Sequence, residues 1–168
     1  MKSDIEKVID VIRSAGGEIR GRTRLQKISC LLELACVGAG FCFIYHHFGP
    51  YCEELALAAD AAQMMKKIKE EKKRANWGGI YSVYSLNEPN PPHLEDSVRE
   101  QLARFAAKAD PIDLELAVTA AYFAVKSIDN PWNEVAACKS EKAKNGNLDK
   151  AKEFYQELRS IADNLPNI

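Results

Sequence analysis

The chain has 168 residues, 46% of them hydrophobic, and a formal net charge of −1. That length supports one well-buried core, since roughly 100–200 residues per domain is usual, and the near-zero charge excludes a global attraction to nucleic acid or to an anionic membrane. No apolar run reaches the roughly 18 residues that a membrane helix needs, and the opening MKSDIEKVID has no apolar core of signal-peptide type, so a cytosolic location without membrane association is expected.

The charge is unevenly spread. Arg20, Arg22, Arg24 and Lys27 meet no acid between residues 20 and 27. Lys66, Lys67, Lys69, Lys72, Lys73 and Arg74 outnumber Glu70 and Glu71 in the run 66–74. These two segments are the electropositive candidates in an otherwise acidic chain. The five cysteines are odd in number and contain no CxxC pair, which points to reduced thiols; Cys30 and Cys36 fall in an apolar helix and read as core residues.

In chain order, Ser3 to Glu6 form a capping-box pattern ahead of Ile5, Val8, Ile9 and Ile12, and Gly16-Gly17 ends that first helix. A second helix is expected from Arg22 or Thr23 to about Val37. From Ile28 to Val37 its only polar residues are Ser29 and Glu33, and Arg22, Gln26, Ser29 and Glu33 make one narrow stripe, expected to see solvent or a partner. Phe41 to Phe48 has the aromatic and β-branched content of a strand, broken by Gly49-Pro50. A third helix opens at Tyr51 and frays into the charged run 70–74, and Ile80–Leu86 alternates as a second strand. Pairing of these two strands in a small antiparallel ribbon would give a winged-helix-like half.

The Pro-rich segment 87–94 marks a connector. Helices are expected at about 95–108 and at 112–127, the latter started by Asp110-Pro111 and carrying a polar stripe of Glu115, Thr119, Tyr122 and Lys126. Asn130-Pro131 starts another helix, and Asn145-Gly146-Asn147 turns into a last amphipathic one. The expected fold is therefore mainly α: a single domain with a small two-stranded β ribbon, a winged-helix-like N-terminal half (1–86), a connector (87–94) and a helical C-terminal half (95–168).

The motif GRTRLQK at residues 21–27, then an apolar helix, then YHHFGPYCEEL at residues 45–55, resembles the YwgA-like proteins, within the broader group of domains related to SocA-type (Panacea) antitoxins. Leu114–Thr119, Trp132–Val135 and Lys139 are similar to the later helices of that group. Cys52 stands where Ser is usual in the group, and a thiol is a poor cap acceptor. The resemblance implies a protein-binding, antitoxin- or adaptor-like module, often associated with phage or toxin–antitoxin loci, with a toxin as one candidate partner. It implies no enzyme and no cofactor.

The expected partner surface is Arg22, Arg24, Gln26, His46, Gly49, Pro50 and Tyr51, which joins the basic helix start to the strand–Gly-Pro junction. The structural alternative is that Arg22 and Arg24 pair with acids such as Glu33 or Glu53. Nucleic-acid binding through Lys66, Lys67, Lys69, Lys72, Lys73 and Arg74 is the second reading; a solvated helix end is its bland counterpart. His46, His47, Cys42 and Cys52 are metal-ligand types, but neighbouring strand residues point to opposite faces, so no metal site is expected. A Cys52–His46 or Cys52–His47 nucleophile pair has only the helix start at Cys52 in its favour.

Overall fold

The computed structural model describes residues 1–87 and 96–168. The connector expected at 87–94 lies outside them except for Asn87. Helix α1 (Asp4–Ser14) begins with the capping box read from the sequence: Ser3 Oγ accepts the Glu6 N–H, and the Glu6 carboxylate accepts the Ser3 N–H. After Gly16 and Gly17, both at positive φ, comes a short strand β1 (Glu18–Arg20), and then α2 (Arg22–Leu34). A tight hairpin of β2 (Ile44–His46) and β3 (Gly49–Tyr51) leads into α3 (Glu53–Met64). Strands β4 (Ile68–Arg74) and β5 (Ile80–Leu86) form a longer hairpin. Four helices complete the described chain: α4 (Val98–Ala107), α5 (Pro111–Val125), α6 (Pro131–Cys138) and α7 (Asn147–Ile161).

The core is built on α5. Leu114, Leu116, Ala117, Val118, Ala120 and Ala121 are all essentially inaccessible, and Glu115 and Thr119 are buried with them, so the helix is enclosed on nearly every side. It packs against α7, α2, α6 and β3. Around it, α2 carries Ile28, Leu31 and Leu32 into the same cluster, and α1, α4 and α7 close the sides.

Two expectations about fold need correction. The fold is a mix of α and β, with seven helices and five strands among the described residues, and it is not a winged helix. The strands expected to pair with each other do not. The aromatic stretch shortens to β2, which pairs with β3 in a two-stranded sheet, while β5 sits between β1 and β4 in an antiparallel three-stranded sheet.

The charged run is a strand, not a frayed helix end. Helix α3 stops at Met64, and Lys66 at φ +56 reverses the chain, the Lys67 N–H closing on the Ala62 carbonyl. Ile68 then anchors β4 in the core. Beyond it, Lys69, Glu71 and Lys73 alternate with Glu70, Lys72 and Arg74 on the two faces of an edge strand, where lysines discourage edge-to-edge pairing. At the hairpin tip Gly78 takes φ +92, and the Trp77 ring covers the place where a side chain on Gly79 would stand.

The cysteines also differ from expectation. Cys30 is buried as read, but Cys36 is exposed, because α2 ends at Leu34 and Cys36 lies past the helix at φ +60.

Candidate functional site

The polar stripe of α2 turns inward after its first turn. Gln26 is buried, and its side-chain amide donates to the Cys52 carbonyl (2.8 Å) and accepts the Cys52 N–H (2.9 Å). Lys27, also buried, donates from Nζ to the Pro50 carbonyl (2.8 Å). These two side chains fix β3 and the start of α3 onto α2, which is why a helix otherwise chosen for burial keeps polar residues there. Glu33, further along, holds the loop after the helix: Oε1 accepts the N–H groups of Ala39, Gly40 and Phe41. Gln26 and Glu33 thus serve internal structure instead of a solvent face, and Ser29 is buried beside them.

Below the Gly-Pro junction lies a buried ionic cluster. Glu115 accepts from Lys139 (2.7 Å) and Lys142 (2.5 Å), with Glu115 and Lys139 almost wholly enclosed. Burial pushes the Glu115 carboxyl up, but the hydrogen bonds from Lys139 and Lys142 outweigh it and its pKa is lowered. Burial brings the Lys27 ammonium down to about 8, against the attraction of Glu115. Thr119 Oγ1 donates to the Glu115 carbonyl (2.7 Å) and sits directly under Gly49. The polar stripe read on α5 is therefore inward-facing at Glu115, Thr119 and Tyr122, whose hydroxyl donates to the Phe43 carbonyl, while Lys126 is exposed past the end of the helix.

On the outer side of α2 these ties leave a groove of about 540 Å³ between α2 and α3, closed at one end by His46, Phe48 and Tyr51 of the hairpin and walled by Tyr84 of β5. A second recess of about 500 Å³ adjoins it, between Gly21–Thr23 and the inner face of the β4–β5 arm at Lys72, Ile80 and Ser82. Arg22 and Thr23 line both, so the two recesses lie side by side at the start of α2 as the two parts of a trough. Arg22 stands at their junction, bridged to Glu70 (3.1 Å), which also accepts from Ser82 Oγ (2.5 Å). Burial raises the Glu70 pKa, and the hydrogen bonds from Ser82 and Arg22 reverse that to a net lowering.

The chain is similar to the uncharacterized protein YwgA of Bacillus subtilis (strain 168). The two are 29% identical over 163 residues, which covers 88% of this chain and 92% of that protein. The chain is thus YwgA-like over most of its length. No family model and no solved structure matches it.

The residues singled out from sequence now have places. Arg22, Gln26, His46 and Tyr51 line the trough, and Gly49 and Pro50 are buried beneath its hairpin end. Arg24 turns away: its guanidinium donates to the carbonyls of Ala106, Ala107 and Ala109 at the C-terminal end of α4, where a cation offsets unpaired carbonyls. Neither arginine pairs with Glu33 or Glu53. Of the basic run, Lys72 lines the trough, Lys69 and Lys73 pair with Glu71, Lys66 and Lys67 lie at the end of α3, and Arg74 ends β4.

His46 closes β2, and His47 occupies the turn. Their rings meet edge-on at 4.8 Å instead of pointing apart, because the strand ends between them. Among the described residues no group of three His, Cys, Asp or Glu side chains is placed to hold a metal. Cys52 caps α3 by accepting the Leu55 N–H (3.4 Å), but burial pushes its thiol up to about 11, which removes the thiolate that a nucleophile needs. Sequence reasoning missed Glu70, Ser82 and Tyr84 as trough residues; the alternation of acid and base along 68–74 was the available signal.

Proposed function

We propose that this protein is a protein-binding module, adaptor- or antitoxin-like, which receives a segment of its partner in the trough along α2. The observation that carries the reading is the trough itself: an open groove in which Leu25, Phe48, Tyr51 and Tyr84 stand among charged and polar residues, and whose walls are fixed by the internal ties of Gln26 and Lys27. Such preorganised grooves lose little on binding. Exposed Phe48, at 65%, adds apolar surface at its rim. The relation to the SocA-type (Panacea) antitoxin group, and with it a toxin as the partner class, belongs to this proposal. It is supported by the Leu25-Gln26-Lys27 and Gly49-Pro50-Tyr51 motifs, which build the trough wall and its hairpin end. No catalytic step is assigned.

The test is a pull-down on the full chain from the native lysate, with and without nuclease, beside an Ala56→Trp variant that fills the groove. A discrete protein that survives nuclease and is lost with Ala56→Trp supports the module. Capture unaffected by filling the groove sinks it. The second reading, nucleic-acid binding, has the β4–β5 arm in its favour, with Lys69, Lys72, Lys73 and Arg74 behind an exposed Trp77. Recovery of nucleic acid that disappears with Lys72→Glu/Lys73→Glu would put that reading first.

A further inference from the structure

We infer that the occupant of the trough is an extended peptide segment with an apolar anchor followed by acidic residues. This inference rests on the protein-binding reading and names the chemistry of the partner. The two halves of the trough differ in character. The half between α2 and α3 has Leu25, Ala56, Ala59, Phe48 and Tyr51 as a bed for an apolar side chain, with Gln26, His46, Glu53 and Asp60 among the polar groups around it. The half along the arm is cationic. Lys72 lines it, and Arg74 follows beyond the recess on the same face of β4 as Glu70, which is occupied by Ser82 and Arg22.

Among the described residues neither Lys72 nor Arg74 lies within ion-pair distance of an acid; Glu70 feels the charge of Lys72 but is itself bridged to Arg22, so Arg22, Lys72 and Arg74 outnumber the one carboxylate on this face, beside the exposed Ile80. A carboxylate-bearing segment supplies the missing partners.

Charge also discriminates against the other polyanion. Glu53 and Asp60 stand on the α3 side of the apolar half without an ion-pair partner among the described residues. A nucleic acid carries phosphate along its whole length and would meet those two carboxylates. A peptide carries its charge only where its sequence places it. The basic half and the apolar half, joined at Arg22, therefore fit an apolar-then-acidic peptide better than a uniform phosphate backbone.

The experiment is selection of random linear peptides displayed against the full chain, followed by fluorescence anisotropy of individual peptides on wild type and on Lys72→Glu, Arg74→Glu and Ala56→Trp variants. Lys72 and Arg74 are exposed edge-strand residues, so their variants fold, which circular dichroism verifies. The expected result is enrichment of Asp and Glu beside an apolar residue, with about fivefold weaker binding to each charge-reversed variant. Peptides with Lys in place of Glu should recover affinity for the reversed variants. Peptides that are lost with Ala56→Trp, lack acidic enrichment and ignore the charge reversals would overturn this inference and leave the module reading standing. Binding of single-stranded oligothymidylate that depends on Lys72, with no peptide selected, would overturn both.

Discussion

The side-chain amide of Gln26 pairs with the backbone of Cys52 as a neighbouring strand would, one hydrogen bond in each direction. Both groups are buried, so removing the amide strands a donor and an acceptor that water cannot reach. Gln26→Leu should cost about 3 kcal/mol in urea unfolding, at the upper end of a surface change by several-fold. A loss below about 0.5 kcal/mol would mean that the β3–α3 junction holds without it.

Gly49 is confined from two directions. Its φ of +87 disfavours any side chain, and a Cβ there would stand 2.7 Å from Thr119 Oγ1. Gly49→Ala should therefore destabilise by about 2 kcal/mol or more. Adding Thr119→Ala should recover the steric part and leave the backbone part, a coupling that a double-mutant cycle reads directly. Strict additivity would show that the two residues do not touch.

The Lys27 ammonium titrates at about 8 in the fold, from an ordinary value of 10.5, because burial disfavours its charge. Between those two pH values the unfolded chain holds the proton and the native state releases it, so this group makes stability rise with pH across the window. Below about pH 8 the charged amine is buried and the cost is full. Cys30 and Cys52, pushed up by burial to about 12 and about 11, act the other way above their ordinary 9.0. The contribution of Lys27 is isolated by subtracting Lys27→Met. The difference should move in favour of wild type by about 1.4 kcal/mol per pH unit above pH 8. A difference that stays flat between about pH 7 and about pH 9.5 would place the amine in contact with water.

Alkylation separates the cysteines. Cys36, Cys42 and Cys138 are exposed, the last with its thiol raised by burial and by its hydrogen bond to Glu134, whereas Cys30 and Cys52 are buried with raised thiol pKa values. Iodoacetamide at neutral pH should modify the first three and spare the other two until the chain unfolds, as read by mass spectrometry. Rapid modification of Cys52 in the native protein would revive it as a nucleophile.

The helices were legible because their ends are written in local chemistry. Ser3 with Glu6, Asp110-Pro111 and Asn130-Pro131 all stand where helices start. The strand pairing was not legible. Lys66–Arg74 has a composition that suits a helix end, and only the reversal at Lys66 and the burial of Ile68 make it an edge strand. The three residues Glu18–Arg20 are too short a segment to declare themselves; their pairing with Ser85, Tyr84 and Val83 comes from tertiary context.

At the site, the sequence pointed to Arg22, Gln26, His46 and Tyr51, which the structure does bring to one trough. It could not show that Gln26 faces inward or that Arg24 serves α4. Period alone distinguishes one helix face from another without saying which face meets protein, and in α2 and α5 the polar faces meet backbone and buried charge.

The two tryptophans occupy opposite environments. Trp77 stands at the tip of the arm, 80% exposed, while Trp132 is enclosed against Tyr155. The molecule therefore carries two built-in optical reporters. Trp77, in water, should emit to the red, quench easily and follow events at the arm, and Trp132, in the core, should emit to the blue and follow loss of the core. A Trp77→Phe variant leaves a clean readout of unfolding, and a Trp132→Phe variant leaves one of the hairpin tip, without any external label.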